Sequence, residues 1–167
     1  MQVDILNIKG TKTGRTLELP ADIFETDFSS ATVLTLFLLP ELNLRLRPTI
    51  LKMKPGTRIV SNTFPMDDWQ PDEKHTIPNC DRWCEALFWI VPAKVDGTWR
   101  SGQTTLTLRQ TFQMLSGTYG ATAITNGRVR GDEISFSVGP TRYTGRLTGN
   151  AIVGISTPGS TPFSATR

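Results

Sequence analysis

Hydrophobic patterning changes character near residue 96. Before that point the apolar residues come in nearly continuous runs. Residues 31–39 (ATVLTLFLL) lack in-and-out alternation and are rich in β-formers, which predicts a strand buried on both faces. Pro40 ends the run and can open a helix from its first position, and Glu41 suits the positive end of that helix. Leu42, Leu46, Ile50 and Met53 recur at intervals of four, four and three and define one apolar helix face, with Asn43, Arg45 and Lys52 falling away from it. Pro48 predicts a kink or a restart, and Lys54-Pro55-Gly56 a stop. Residues 57–62 (TRIVSN) form the next predicted strand, centred on Ile59-Val60. Strand, helix and strand in this order predict a parallel pair joined by a right-handed crossover. Both strands then end at one edge, where ligands bind in open α/β sheets. Residues 85–91 (EALFWIV) read as a further buried strand of this layer, stopped by Pro92.

After Asp96-Gly97 the pattern alternates. Residues 105–111, 113–118, 128–130, 133–138, 142–147 and 151–155 read as short strands, separated by glycine turns such as Gly131-Asp132 and Gly149-Asn150. The prediction is an antiparallel β-meander. Two segments, 127–134 (GRVRGDEI) and 145–152 (GRLTGNAI), share the form G-R-x-x-G-x-x-I. They predict repeated hairpins: an arginine-bearing strand, a tight glycine turn and a return strand whose isoleucine points inward. Three segments have weaker patterns. Residues 3–8 and 16–19 are short candidate strands around a turn at 9–15, residues 65–81 (PMDDWQPDEKHTIPNCD) read as a long acidic loop, and residues 157–167 read as a Thr/Ser/Pro-rich tail. The organisation expected is therefore an α/β core over 1–95, a β appendage over 96–156 and a flexible tail over 157–167.

A chain of 167 residues is long enough for one ordinary domain without a metal or disulfide to staple it. The net charge of +3 is unevenly spread. Residues 1–96 carry 11 Lys/Arg against 13 Asp/Glu, and residues 97–167 carry 7 Arg against 2 acids. The basic half could attract an anionic partner or be the solvated outer face of a sheet. Its arginines have little aromatic interleaving, which argues against nucleic acid. No run approaches the length of a membrane-spanning helix. No secretion signal is visible at the start, so the cytoplasm is the expected compartment. Cys80 and Cys84, with His75 five residues earlier, do not make a four-ligand zinc pattern, and no metal is expected. The two cysteines read as ordinary thiols, with a disulfide open as an alternative.

Two residues carry candidate chemistry. Asp22 follows the short strand at 17–19 and precedes Ile23-Phe24. An acid there can accept a hydrogen bond from an adenine amino group while apolar neighbours sandwich the ring, or it can be a loop or capping acid. Trp69 sits among Asp67, Asp68, Asp72 and Glu73 and must lie against something, either the sheet or a ligand.

Residues 21–69 as a series resemble the second half of a class I S-adenosylmethionine-dependent methyltransferase core. The matching pieces are ADIFETDFSSATVLTLFLLPELNLRLRPTIL, then KPGTRIVSNTF, then PMDDWQPDE. ADIF is similar to the family's adenine-recognition segment, ATVLTLFLLP to its central strand, and KPGTRIVSNTF to the strand and turn after the next helix. Met53 and Thr57 depart from the leucine and second glycine that many members carry there. A fainter resemblance runs to the seven-strand lysine methyltransferases. The resemblance implies a partial Rossmann-like core with S-adenosylmethionine as cofactor and leaves the acceptor open, with a protein lysine as the one the fainter resemblance suggests. It implies Asp22, Ile23, Phe24 and Phe37 on the cofactor side and Pro40, Asn43, Asn62, Phe64 and Trp69 on the acceptor side. No catalytic residue is assigned. The family's glycine-rich loop, G-x-G-x-G, occurs nowhere in these 167 residues. The expectation is a truncated methyltransferase, inactive alone, that needs a complementary N-terminal half. Two alternatives are a binding or scaffold module working through the arginine-bearing meander, and a remnant that self-associates through a naked sheet edge.

Overall fold

The computed structural model describes the backbone of residues 2–6 and 12–18 and the whole of residues 22–167. Two compact units result, Met1–Ser30 and Ala31–Arg167. In the first, β1 (Gln2–Leu6) and β2 (Lys12–Glu18) pair antiparallel. The turn expected at 9–15 gives way to strand from Lys12 onward, and residues 7–11 lie outside the described residues.

The second unit begins with the predicted parallel pair, although its first strand is shorter than the run at 31–39 and exposes Val33 and Thr35 instead of burying both faces. The strand β3 (Val33–Leu36) runs parallel to β4 (Arg58–Asn62), with Leu34 opposite Ile59 and Leu36 opposite Ser61. Between them lies α1 (Pro40–Ile50), which starts on Pro40 and runs through Pro48 with no break in the helix. Leu46, Ile50 and Met53 are buried as the periodicity requires, but Leu42 is exposed and Asn43 takes its place inside. Asn43 lies three residues before Leu46 and seven before Ile50, so it shares their face.

Two strands differ from expectation. Residues 85–90 form β6, which pairs with β4 antiparallel rather than parallel, Ile59 facing Trp89. Within the acidic loop, β5 (Glu73–Thr76) pairs with the outer side of β6. The sheet order is β3-β4-β6-β5, so only its first pair is parallel. Trp69 and Trp89 are fully buried beneath it. The Trp89 Nε1 donates to the Trp69 carbonyl at 2.9 Å. Each indole removes roughly 150–250 Å² from water.

The remaining strands are β7 (Gly97–Ser101), β8 (Thr104–Thr111), β9 (Met114–Tyr119), β10 (Thr122–Ala123), β11 (Thr125–Arg130), β12 (Glu133–Val138), β13 (Thr141–Thr148), β14 (Ala151–Thr157) and β15 (Thr161–Thr166). They do not form the open meander that the sequence predicts. The antiparallel order β8-β9-β11-β12-β13-β14-β15-β7 returns to β8, so eight strands close into a barrel. Thr166 opposite Arg100 makes the closing contact. Residues 161–166, in the segment read as a tail, supply the strand that makes closure possible. Their alternation puts Phe163 and Ala165 into the core. That core also holds Trp99, Leu106, Leu108, Val129, Ile134, Phe136 and Ile152, so the interior is filled by side chains.

The two repeats are hairpins, as predicted. Arg130 faces Glu133 across the first turn and Thr148 faces Ala151 across the second. Gly131 and Gly149 take φ of 63° and 58°, the left-handed region that glycine enters without a Cβ penalty. Ile134 and Ile152 are both buried. Strands β13 and β14 also meet at a glycine pair, Gly145 opposite Gly154. A Cβ on Gly154 would lie 1.9 Å from the Thr144 carbonyl oxygen.

The α/β layer and the barrel belong to one unit. Phe112 stacks on Trp69 with ring centroids 5.9 Å apart, Gln113 Nε2 donates to the Gln70 carbonyl at 2.7 Å, and the Ala93 N–H donates to the Gly131 carbonyl at 2.7 Å. Among the described residues no helix is long and apolar enough to cross a membrane.

Candidate functional site

Two places bring polar or aromatic side chains together at the surface. One is the carboxyl edge of β3 and β4. The chain leaves β3 at Phe37, which is 59% exposed. Its ring lies 5.8 Å from Phe64, two residues beyond β4, and 5.8 Å from Trp83. Phe64 and Trp83 are 5.1 Å apart. The parallel register therefore juxtaposes the two loop ends, as the crossover reading requires. Trp83 is an addition that sequence reasoning missed. It lies in the loop closed by a Cys80–Cys84 disulfide, so the two cysteines are bonded to each other and are not thiols. The spacing C-D-R-W-C was the available signal.

Asn43 fixes this edge from below. Its Nδ2 donates to the Phe64 carbonyl at 3.1 Å and to the Pro65 carbonyl and Ser61 Oγ at 3.4 Å. Ser61 Oγ donates to the same Phe64 carbonyl at 2.7 Å. The turn that carries Phe64 is thus tied to α1 and β4. The Asn43 Oδ1 is buried without a partner among the described residues. Pro40 is the first residue of α1, and Asn62 Oδ1 accepts from the Thr63 hydroxyl at 2.9 Å. Trp69 is elsewhere: fully buried, it faces Trp89 and Phe112.

Asp22, Ile23 and Phe24 lie in the first unit and Phe37 in the second. Asp22 Oδ1 accepts the Phe24 N–H at 2.8 Å, and its carbonyl accepts the Glu25 N–H and the Thr26 hydroxyl at 3.2 and 2.9 Å. Its carboxylate is therefore already engaged by the local turn. S-adenosylmethionine needs backbone at close approach to seat its amino-acid end. Residues 22–96 contain a single glycine, Gly56, whose N–H donates to the Val91 carbonyl at 2.9 Å. The described residues of the α/β segment offer no such cradle, so they do not by themselves fit the whole cofactor. Among the described residues there is also no cluster of metal-ligating side chains.

The second place is an open groove of about 480 Å³ on the outer face of the barrel, across β11 to β14. The four arginines at 128, 130, 142 and 146 are scattered in the sequence. Antiparallel register gathers them: Arg128 stands beside Ser135, which stands beside Thr144, and Arg130, Glu133, Arg146 and Val153 form the next row. All of these residues and Arg142 line the groove. The repeat explains half of it, since Arg128 and Arg146 occupy the same position in the two G-R-x-x-G-x-x-I hairpins.

The electrostatics of the groove are not uniform. Arg128 meets the Asp72 carboxylate at 2.6 Å, and that side chain is 1% exposed. Arg130 pairs with Glu73, and Arg146 with Asp132 at 2.9 Å and with Glu133. Arg142 is exposed, and its guanidinium has no acid or hydrogen-bond partner among the described residues. Linear spacing could not show this convergence, because it depends on which strands are neighbours.

Residues 6–73 match a family model described as the ANTKMT methyltransferase domain. A protein-lysine N-methyltransferase of Saccharolobus islandicus (strain REY15A) is 46% identical over 66 residues, which are 39% of this chain and 41% of that relative. The match thus spans about two fifths of the curated relative's length. No solved structure matches. The N-terminal part of the chain is a partial methyltransferase-like domain, followed by a large β-sheet region.

Proposed function

We propose that this chain works as a non-catalytic binding module, in which the arginine-bearing outer face of the barrel takes an anionic partner. The methyltransferase-like α/β segment is its base. The observation that carries this reading is the convergence of Arg128, Arg130, Arg142 and Arg146 on one groove. The excess of 7 arginines over 2 acids in residues 97–167 supports it by raising the local potential for an anion. Arg128 with Asp72 and Phe112 with Trp69 join residues 31–96 of that base to the barrel. Binding of labelled poly-L-glutamate, measured by anisotropy, tests the proposal. Affinity should fall about tenfold between low and physiological-to-high salt as screening shortens the reach of the arginines, and S-adenosylmethionine should not change it. No binding, or binding indifferent to salt, overturns it.

A second reading is favoured by the match over residues 6–73 and by the exposed Phe37 beside the half-buried Phe64 at the sheet edge. Here the chain is part of an S-adenosylmethionine-dependent methyltransferase. Asp22, Ile23, Phe24 and Phe37 face the cofactor, Pro40, Asn43, Asn62 and Phe64 face a protein lysine, Trp69 supports them from the core, and a complementary half supplies the glycine-rich loop. Titration calorimetry with S-adenosylmethionine separates the readings. Heat of binding that appears only when an N-terminal methyltransferase half is added supports this second one. No heat in either case removes it.

A further inference from the structure

Resting on the binding-module reading, and naming the chemistry its groove selects, we infer that Arg142, Ser135 and Thr144 form a site for a phosphate monoester on an apolar carrier. Three of the four guanidiniums in the groove already face carboxylates of this chain: Arg128 faces Asp72, Arg130 faces Glu73, and Arg146 faces Asp132 and Glu133. Arg142 alone offers its donor fork to a ligand. On the same face of the same strand, two residues along, stands Thr144, and opposite Thr144 in the register stands Ser135. Neither hydroxyl has a hydrogen-bond partner among the described residues, and both line the groove with Arg142.

The identity of the donors selects the ligand. A carboxylate has two oxygens, and one guanidinium fork satisfies both. Here donors arrive from three separate side chains on two strands, which suits an acceptor with three oxygens pointing apart. A phosphate monoester has that form and a charge near −2 at neutral pH. The acids that hold Arg128, Arg130 and Arg146 restrict the strong attraction to one spot. An anionic group is therefore recognised singly, not as one charge in a long run. Beside the spot the wall is apolar. Val153 is 54% exposed and Ile155, opposite Thr144, is 42% exposed. An aromatic or aliphatic carrier covering them would gain burial in addition to the ionic contact. The groove volume of about 480 Å³ is within the usual range for small-ligand sites.

Phosphorus NMR and calorimetry on the whole chain test the site with phenyl phosphate, inorganic phosphate and benzoate as probes. Phenyl phosphate should bind about tenfold tighter than either of the others, because only it uses both the donors and the apolar wall. Arg142→Ala should weaken it at least tenfold. Arg142→Lys, which keeps the charge and loses the fork, should recover part of that. Ser135→Ala with Thr144→Val should cost a few-fold. Arg142 is exposed and Ser135 and Thr144 are half-buried on the outer face, and circular dichroism checks the fold of each variant. A phosphotyrosine hexapeptide separates sources. Tighter binding than phenyl phosphate supports a modified protein as carrier, and equal binding supports a small aryl phosphate. Poly-L-glutamate binding with no phenyl phosphate binding overturns this inference and leaves the binding module standing. Phenyl phosphate binding that Arg142→Ala leaves unchanged overturns it as well. Failure of both ligands overturns the two together.

Discussion

Arg128 and Asp72 are 56 residues apart and meet at 2.6 Å. The other Asp72 oxygen accepts the Ile90 N–H at 2.8 Å. One carboxylate thus holds a barrel strand and the central sheet at once. Its side chain is 1% exposed and the arginine is 41% exposed. Removing the arginine leaves a carboxylate out of water with a single donor, which is costlier than the pair itself is worth. Arg128→Ala should lower stability by about 2–4 kcal/mol. Adding Asp72→Ala should cost less than the sum of the two single changes, by about 1–3 kcal/mol. Urea midpoints for the four proteins of this cycle measure both values.

The glycine pair between β13 and β14 makes a contrasting prediction. Gly154→Ala places a methyl group 1.9 Å from a backbone oxygen, so the strands must part there. The cost should be about 3 kcal/mol or more, at the upper end of what overpacking does. Gly149→Ala has open space around its Cβ and only a positive φ of 58° to overcome. That should cost about 1–2 kcal/mol. Similar melting temperatures for the two variants would count against the close strand approach.

Trp69 separates packing from recognition. It is fully buried between Trp89 and Phe112, and its carbonyl accepts the Trp89 Nε1–H. Trp69→Ala should destabilise by about 3–5 kcal/mol through the cavity it leaves. Trp69→Phe should be much milder, because the Trp69 Nε1 has no partner among the described residues to lose. Poly-L-glutamate affinity of the folded Phe variant should be unchanged.

Tyr143 gives the barrel an alkaline limit. Burial beside Phe136 and Phe163 raises its pKa above the ordinary 10.0, and the nearby Tyr119 raises it further. The folded state therefore holds this proton more tightly than the unfolded chain does. The stability so gained is complete below the unfolded pKa and is lost as pH rises through the higher folded value. Denaturation midpoints should fall above about pH 10, and Tyr143→Phe should flatten that limb. Absorbance near the phenolate band would show Tyr143 ionising later than a free tyrosine.

The sequence made some of this legible. The unbroken run at 31–39, the helix opened by Pro40 and the Ile59-Val60 centre led to the parallel pair, because each rests on local pattern. The two G-R-x-x-G-x-x-I hairpins were legible for the same reason. The direction of β6 is not legible, since an apolar run such as EALFWIV reads alike either way. Strand β5 is Glu-Lys-His-Thr and exposed throughout, so it carried no apolar pattern. Closure of the barrel rests on Thr166 meeting Arg100, a pairing no local window contains. Phe163 and Ala165 did alternate with polar neighbours, but Pro162 and the Thr/Ser composition masked the strand. At the candidate site, the partners of Arg128, Arg130 and Arg146 follow from tertiary contact, so the single open guanidinium of Arg142 could be found only in the fold.

Barrel closure also bears on how copies of this chain could join. A closed ring has no first or last strand, so apart from the two-residue β10 the outer strands of residues 31–167 lie in the four-stranded sheet. One margin, β5, is studded with charge and repels a flat neighbour. The other, β3, carries Val33 and Leu34 and bonds to β4 on one side only. Within residues 31–167, strand-to-strand assembly is therefore channelled to β3, and a single lysine there, at Thr35, would block it.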